Sequence, residues 1–472
     1  MLNAGLNLEP AGNPGQPFFR AWRLASSLRA TATIGAMPLL SYAEAAERVQ
    51  RFILALVEDR SVQDQAQGQD GLGAAAVALA TAAGRVLAEG IRADRDQPPF
   101  DRSTRDGFAC RAAEANTHQL LPLTGQVRTG ETPAGVAGSG KLAAGEVWEI
   151  MTGAPVPEGA DAVFMVEHAE HSFAVEGFSS AERSSSSVRL AAPRTVAPGE
   201  NIVARGSEAR AGDLLVPPGV RIGAAQIALA AQCGYARLQV ARRPRVAILA
   251  TGDELVPVEV VPGASQIRNS NGPMLAALVN AAGGEAMVLP AVPDRNDPLD
   301  AAIQQALTAD LLLVSGGISM GRFDLVENAL TRAGAQFFFG GVAIQPGKPV
   351  AFGQLPRPGQ RQLPFFALPG NPISSAVTFH LFAAPLLAAL GGDSSPLPRF
   401  ALAELAGEWQ GKPGLTRFLP ARCDFGLAPQ VRLSPWQGSG DIAAFARSNC
   451  FLVVPAEAEQ IAAGSIVQVM LA

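Results

Sequence analysis

The spacing of hydrophobic residues predicts a helix at the start of the folded chain, within 41–56. Ser41 and Glu44 stand three residues apart in the pattern of a capping box. Five hydrophobic residues follow at helical spacing: Ala45, Val49, Phe52, Ile53 and Leu56. An Ala-rich segment at about 73–88 predicts a further helix.

From about residue 90 to 240 the pattern changes to short β segments separated by Gly and Pro. A serine-rich tract at 179–187 indicates a loop. We expect a mixed α+β N-terminal region at 37–241, built from two intertwined subdomains, with the β-rich one at about 92–190.

Between residues 242 and 392, apolar strands alternate with helical patterns. Asn271 and Asp297 stand where two of the helices would be capped, and Asn371–Pro372 begin a third. This alternation predicts an α/β domain with three layers, a mostly parallel sheet having helices on both faces. Ligands of such sheets bind beyond the carboxyl ends of the strands.

The last part, 396–472, has no helical period, and its short strands predict a small β-barrel or sandwich. The predicted fold class is therefore multidomain α/β and β, with a central α/β unit and a C-terminal β-barrel. A chain of 472 residues is long enough for two to four domains.

Charge and cysteine content narrow the possible partners and compartment. The net charge of −5 gives no general attraction to nucleic acid or anionic membranes. The four cysteines are far apart and form no CxxC pattern, which fits a reducing cytoplasm. We expect no apolar run of the roughly 18–20 residues that a membrane span needs. Residues 1–36 are expected to be a disordered extension, or to lie before a working start at Met37; a targeting segment is the alternative.

A glycine pair stands where the predicted strand at 311–315 passes into a helix. Ser315, Gly316, Gly317 and Ser319 could bring backbone N–H groups and hydroxyls to a phosphate, although a plain tight turn has the same pattern. The segment is neither a Walker A loop nor a GxGxxG motif. Asp324 beyond it is a candidate for Mg²⁺ or an ordinary first-turn acid.

Three other segments of the α/β region carry candidate chemistry. Asp253 ends a strand in "ATGDEL", a common position for an Mg²⁺ ligand. Lys348 lies in a turn between Pro346 and Pro349, where a fixed ammonium suits an oxyanion. The helix start at Asn371, with Ser374 nearby, is a second candidate anion site.

Eight segments occur in one order along residues 37–472, and together they resemble the MoeA family of molybdopterin molybdenumtransferases, which includes the E domain of gephyrin. These segments are "FDRSTRDGFA", "MTGAPVPEGADAVFMVE", "GENIVARGSEARAGD", "ATGDEL", "NSNGPML", "SGGISMGRFD", "PGKPVAFG" and "LPGNPISS". The resemblance implies insertion of molybdate into adenylylated molybdopterin with release of AMP, and a requirement for Mg²⁺. It also implies an elongated homodimer of four-domain subunits, with molybdenum enzymes or their chaperones as candidate partners.

The same resemblance assigns roles to individual residues. The active cleft is expected between the α/β domain of one subunit and the N-terminal half of the other. Asp106, Thr152 and Glu208 would act from that N-terminal half. The residue chemistry, independently of the resemblance, makes Asp253 and Asp324 the candidates that hold the metal or position water.

Three positions depart from the family pattern. Asn269 stands where Asp is frequent, and we keep it as a candidate metal-site residue although an amide brings no negative charge. Glu327 stands where Lys is frequent, and Gln345 stands where Lys or Arg is frequent. These departures leave open a variant that uses tungstate and a non-catalytic pterin-binding scaffold. A molybdopterin adenylyltransferase is a further alternative, since it shares the α/β unit.

Overall fold

The computed structural model describes Thr31, Ile34 and residues 37–67, 73–133, 140–172, 186–317 and 325–472, with the backbone alone at 59–67 and 171–172. The chain forms two compact units. The first comprises residues 1–89, 218–223 and 237–472, and the second comprises 90–217 and 224–236.

A six-stranded sheet forms the centre of the first unit. Its strands are β1 (Arg245–Ala250), β2 (Glu285–Val288), β3 (Leu311–Ser315), β4 (Gln336–Phe339), β5 (Ala351–Leu355) and β6 (Leu363–Leu368). The strand order is β2-β1-β3-β6-β5-β4. Strands β2, β1, β3 and β6 pair in parallel, whereas β5 pairs antiparallel with both β6 and β4. The mostly parallel sheet is confirmed.

Helices follow the strands, as the alternating pattern predicted. They are α1 (Asn271–Ala281), α2 (Asn296–Ala306), α3 (Leu325–Arg332) and α4, which runs through Pro372–Thr378, a π-helical turn at Phe379–Ala383 and Ala384–Leu390. Alternate residues of β1 enter two apolar clusters: Ile248 packs in the cluster that contains α1 and α4, and Leu249 in the one that contains α2 and α3. Helix side chains therefore pack against both sets of alternating strand residues. This explains why the strands are apolar at successive positions.

The helix Tyr42–Gln67 precedes the sheet and packs against it. The capping box is confirmed: the Glu44 N–H donates to Ser41 Oγ at 3.2 Å, and the Ser41 N–H donates to Glu44 Oε2 at 2.8 Å. The helix expected at 73–88 is wrong. Its first residues form the strand Ala74–Ala78, which pairs antiparallel with Arg237–Ala241. The helix propensity of alanine is a weak preference, and pairing with a distant strand overrides it.

The C-terminal part of the first unit is a closed β-barrel, as predicted. The strand Thr416–Asp424 pairs on both sides, with Gln430–Leu433 and with Cys450–Val454. The ring is completed by Phe400–Leu405 and Ile466–Leu471. Additional short elements are Trp409–Gln410 paired with Gln460–Ile461, the helix Ile442–Ala446, and Ile344–Gln345, which pairs with the barrel strand Thr416–Asp424.

The second unit contains a mixed six-stranded sheet. In spatial order its strands are Ala162–Met165, Gly107–Cys110, Val147–Ile150, Leu121–Val127, Ser187–Leu190 and Ala169–Ser172. Shorter pairs join Arg102–Ser103 to Ile202–Val203 and Ile91–Arg92 to Leu214–Val216, and the helices are Ala112–Ala115 and Ala224–Gln232. The serine-rich tract predicted as a loop lies mainly outside the described residues.

One helix among the described residues is long and apolar enough to cross a membrane by length and composition, the 19-residue α4. Our expectation that no run would reach that length was therefore wrong. Within its most apolar window, 83% is buried inside the protein, because α4 lies in the core beside the sheet.

Candidate functional site

A cleft of about 710 Å³ opens at the carboxyl ends of β1 and β3, where the parallel sheet was expected to bind a ligand. Polar groups and glycines form most of its wall. The lining residues at these strand ends and the helix starts include Thr251, Gly252, Glu254, Arg268, Asn269, Asn271, Asp294, Ser315, Gly316, Gly317, Gly370, Asn371 and Pro372. The structure thus brings together Ser315, Gly316, Gly317, Asn269 and Asn371 from the predicted set.

The glycine pair is required by backbone conformation and close packing. Gly316 and Gly317 have φ angles of 96° and 64°, which favour glycine. A Cβ at Gly316 would lie 2.5 Å from the backbone O of Thr251, and one at Gly317 would lie 2.4 Å from Cγ2 of Val326. The space that a side chain would need is therefore occupied by the protein itself.

Hydrogen bonds hold Ser315 and the start of α1 together. Asn271 Nδ2 donates to Ser315 Oγ at 2.8 Å and to the Gly370 carbonyl at 2.6 Å, while Asn271 Oδ1 is buried without a partner. The cap that we expected from Asn271 comes instead from Asn269, whose Oδ1 accepts the Gly272 N–H at 3.0 Å. Asn271 therefore links the strand end to the α4 start across the floor of the cleft.

Acidic groups converge beside this floor. Thr251 Oγ1 donates to a carboxylate oxygen of Asp294, and the Asp294 N–H donates to Asp253 Oδ1 at 3.2 Å. Glu254 and Asp294 line the cleft, whereas the predicted Asp253 is not part of the lining and contacts it through the Asp294 N–H. Sequence reasoning missed Asp294, although the same rule could have found it, because it follows the strand next to β1.

The structure places the other predicted α/β residues apart from this lining. Lys348, half-buried between Pro346 and Pro349, uses its carbonyl to accept the N–H groups of Val342 and Val350. Ser374 is buried inside α4. Ser319 and Asp324 lie outside the described residues.

The barrel also contributes to the cleft, which no sequence pattern indicated. Gly440 and Ile442 belong to the loop and short helix after the barrel strand Gln430–Leu433, and both line the cleft. The Ile373 N–H at the start of α4 donates to the Ser439 carbonyl at 3.1 Å, which fixes this loop against the helix. The helix start therefore has one of its free N–H groups satisfied by the barrel.

In the second unit, two predicted residues lie together. The Thr152 N–H donates to Asp106 Oδ1 at 2.6 Å. Hydrogen bonds from the backbone and the side chain of Thr152 hold the pKa of Asp106 below its usual value, so this exposed carboxylate stays ionised at neutral pH. Glu208 forms an exposed ion pair with Arg102 at 2.9 Å instead.

Comparisons with known proteins agree with this architecture. Three family models match in order: the MoeA N-terminal region (domain I and II) at 40–234, the probable molybdopterin binding domain at 247–389, and the MoeA C-terminal region (domain IV) at 403–472. A molybdopterin molybdenumtransferase of Bacillus subtilis (strain 168) is 33% identical over 401 residues, covering 84% of this chain and 89% of the relative. The chain belongs to the MoeA family.

Other MoeA relatives extend the match. A molybdopterin molybdenumtransferase of Staphylococcus aureus (strain Mu50) is 32% identical and covers 87% of this chain and 94% of its own length. The crystal structure of a molybdopterin biosynthesis MoeA protein from Pyrococcus horikoshii OT3 superposes with a TM-score of 0.71 at 25% identity, covering 92% of this chain and 100% of that one. A second structure from the same organism gives a TM-score of 0.67 at 30% identity, with coverage of 92% and 99%.

The three departures of this MoeA protein each make a structural hydrogen bond. Asn269 caps α1, as described above. Gln345 Oε1 accepts from Nε of the buried Arg417 at 3.0 Å. Glu327 Oε1 accepts the Ile34 N–H at 2.6 Å. These substitutions are thus compensated within the chain, and they leave the glycine pair and the acids of the cleft in place.

Proposed function

We propose that this MoeA protein is a molybdopterin molybdenumtransferase, which inserts molybdate into adenylylated molybdopterin and releases AMP. The observation that carries the proposal is the cleft at the carboxyl edge of the parallel sheet, in a chain that three family models match in order at 40–234, 247–389 and 403–472. The glycine turn, the α4 start and the hydroxyl groups of Thr251, Ser270 and Ser315 meet there.

Recognition of the substrate rests on local groups, because the protein as a whole is acidic. The backbone N–H groups of Gly317 and Asn371, which both line the cleft, suit the oxygens of a pyrophosphate linkage. Arg268 on the cleft wall donates Nε to the Val260 carbonyl at 3.1 Å, which leaves its terminal nitrogens for an anion. Ile267 and Ile442, both partly exposed on the wall, suit the flat faces of the heterocycles.

The donor set of the cleft fits the Mg²⁺ that the family uses. Among the described residues no cluster of three or more His, Cys, Asp or Glu side chains could hold a metal ion. Mg²⁺, however, needs only one or two carboxylates when substrate phosphates supply other oxygens, and Asp253, Glu254 and Asp294 offer them. When bound, the ion would neutralise charge on the phosphoanhydride as AMP leaves. Asn269 would contribute little, since its oxygen caps α1.

The residues of this chain have separable tasks in the reaction. The glycine turn and the α4 start orient the phosphates, and the Thr251–Asp294–Asp253 chain fixes the carboxylates beside them. We further propose a homodimer, in which the ionised Asp106 and Thr152 serve molybdate in the active site of the partner subunit. This assignment follows the family pattern and the contact between these two residues.

The test is AMP release by the purified protein given adenylylated molybdopterin and Mg²⁺, with molybdate or with tungstate. Release that requires molybdate is the expected result. Release with tungstate alone would assign the protein to a variant with a different oxyanion. Binding without any release would support a scaffold, and formation of adenylylated molybdopterin from ATP would support the adenylyltransferase alternative.

A further inference from the structure

The N-terminal segment pairs with the open edge of the α/β sheet. Strand β4 is the last strand of that sheet. The Thr31 N–H donates to the Phe337 carbonyl at 3.0 Å, and the Phe337 N–H donates to the Thr31 carbonyl at 2.9 Å. This is a complete antiparallel hydrogen-bonded pair on an edge that would otherwise present free backbone groups.

A second contact joins the same segment to the helix after the glycine turn. The Ile34 N–H donates to Glu327 Oε1 at 2.6 Å, and the Ile34 carbonyl accepts the Met37 N–H at 2.8 Å. Glu327 lies in the first turn of α3. Its carboxylate therefore holds a backbone donor that is 293 residues away in sequence.

The Ile34 side chain packs against the residue that follows β4. A Cβ at Gly340, directly after β4, would lie 2.0 Å from Cγ2 of Ile34, so the isoleucine packs directly onto the glycine backbone. Ile34 also packs against the apolar cluster that contains α2 and α3. Residues Thr31 and Ile34, which we call the N-terminal clamp, are thus bound by backbone, carboxylate and apolar contacts together.

The clamp is connected to the cleft through α3. Val326, the neighbour of Glu327, is fully buried, and its Cγ2 occupies the position next to Gly317. Gly317 lines the cleft. We propose that the N-terminal clamp closes the β4 edge and fixes α3 through Glu327, and thereby positions the Gly317 end of the cleft. Glu327 is then a positioning residue. It stands where lysine is frequent in the family, and its carboxylate accepts the hydrogen bond from the clamp.

The test compares variants of the full chain by amide hydrogen exchange. Thr31→Pro removes the N–H that donates to Phe337, and Thr31→Val keeps it. Glu327→Leu removes the acceptor of the Ile34 N–H, and Glu327→Gln keeps an oxygen there. We expect Thr31→Pro and Glu327→Leu each to speed exchange in residues 325–332 about tenfold, the factor for one hydrogen bond of ordinary strength. The two controls should stay near the wild-type rate.

The double variant Thr31→Pro/Glu327→Leu separates a clamp from two independent contacts. If both residues act through one segment, the second change adds little once the first has released it. Fully multiplied rate effects, or unchanged exchange in 325–332 for either single variant, would overturn the proposal.

A second measurement links the clamp to the cleft and rests on the proposed function. Affinity for adenylylated molybdopterin should fall several-fold in Glu327→Leu and remain near wild type in Glu327→Gln. Equal affinities would overturn the connection through Val326. If the wild-type protein does not bind this probe, the proposed function fails, whereas the exchange measurements still decide the clamp.

Discussion

Substitution of Gly317 by alanine tests whether the glycine turn is needed for the protein's own packing. At a φ of 64° an L-residue costs about 1–2 kcal/mol, because its Cβ approaches the following carbonyl. The new Cβ would also lie 2.4 Å from Cγ2 of Val326, and overpacking of this kind costs about 1–3 kcal/mol. We therefore expect Gly317→Ala to lower the free energy of opening of the α/β domain by about 2–5 kcal/mol.

The assay is hydrogen exchange of β3 peptides, which reports the opening of this domain without assuming that the whole chain unfolds in one step. Val326→Ala is the matched variant, because it removes the Cγ2 atom in question. The double variant Gly317→Ala/Val326→Ala should be less destabilised than the sum of the single variants by about 1–3 kcal/mol, the overpacking part alone. The reasoning would be refuted if Gly317→Ala had the same free energy of opening as the wild type and nevertheless lost affinity for adenylylated molybdopterin. The Cβ would then occupy the space of the ligand.

Three further predictions concern the cleft, the barrel junction and a half-buried histidine. Asp253→Asn should keep the fold, because its amide oxygen can still accept the Asp294 N–H, and should remove most Mg²⁺-dependent AMP release in the purified protein. Gln345→Leu should lower stability in urea by about 1.5–3 kcal/mol, since Arg417 Nε loses its acceptor, whereas Gln345→Glu should not. Burial lowers the pKa of His380 to about 4, so stability should be full above pH 6.5 and fall by about 3 kcal/mol as the pH drops from 6.5 to 4.

Each of these has a contrary outcome. Unchanged AMP release in Asp253→Asn would remove that residue from the metal site. Equal stability of the leucine and glutamate variants at Gln345 would mean that water replaces the lost acceptor. The variant His380→Gln cannot titrate in this range, so an unaltered pH dependence of its stability would assign the acid sensitivity to other groups.

Local patterns predicted the elements whose cause is local. The capping box of Ser41 and Glu44 acts within one helical turn, and the period of the strands follows from burial on both faces of the sheet. The Ala-rich segment at 73–88 was mispredicted because its partner strand lies about 160 residues later, at Arg237–Ala241. Pairing over such a distance leaves no signal in composition.

The candidate site likewise contains residues that local patterns predicted and residues that they could not predict. Glycines and a helix start at strand ends identified most of the cleft wall, because parallel strands share one carboxyl edge. Gly440 and Ile442 could not be predicted, since they reach the cleft only through the folding of the barrel. Lys348 was predicted from a motif, but the turn that carries it uses its backbone in contacts with Val342 and Val350.

The apolar face of the helix Tyr42–Gln67 has a consequence for how the chain is made. Leu56 on this face shares one core with Phe339 of the sheet, about 280 residues later, and with Met470 of the barrel. At about 5–20 residues per second, a ribosome needs roughly 15–60 s to reach the first of these partners. During that time the helix presents an uncovered apolar stripe. We therefore expect newly made chains to depend on chaperones that shield this stripe until the sheet has been synthesised.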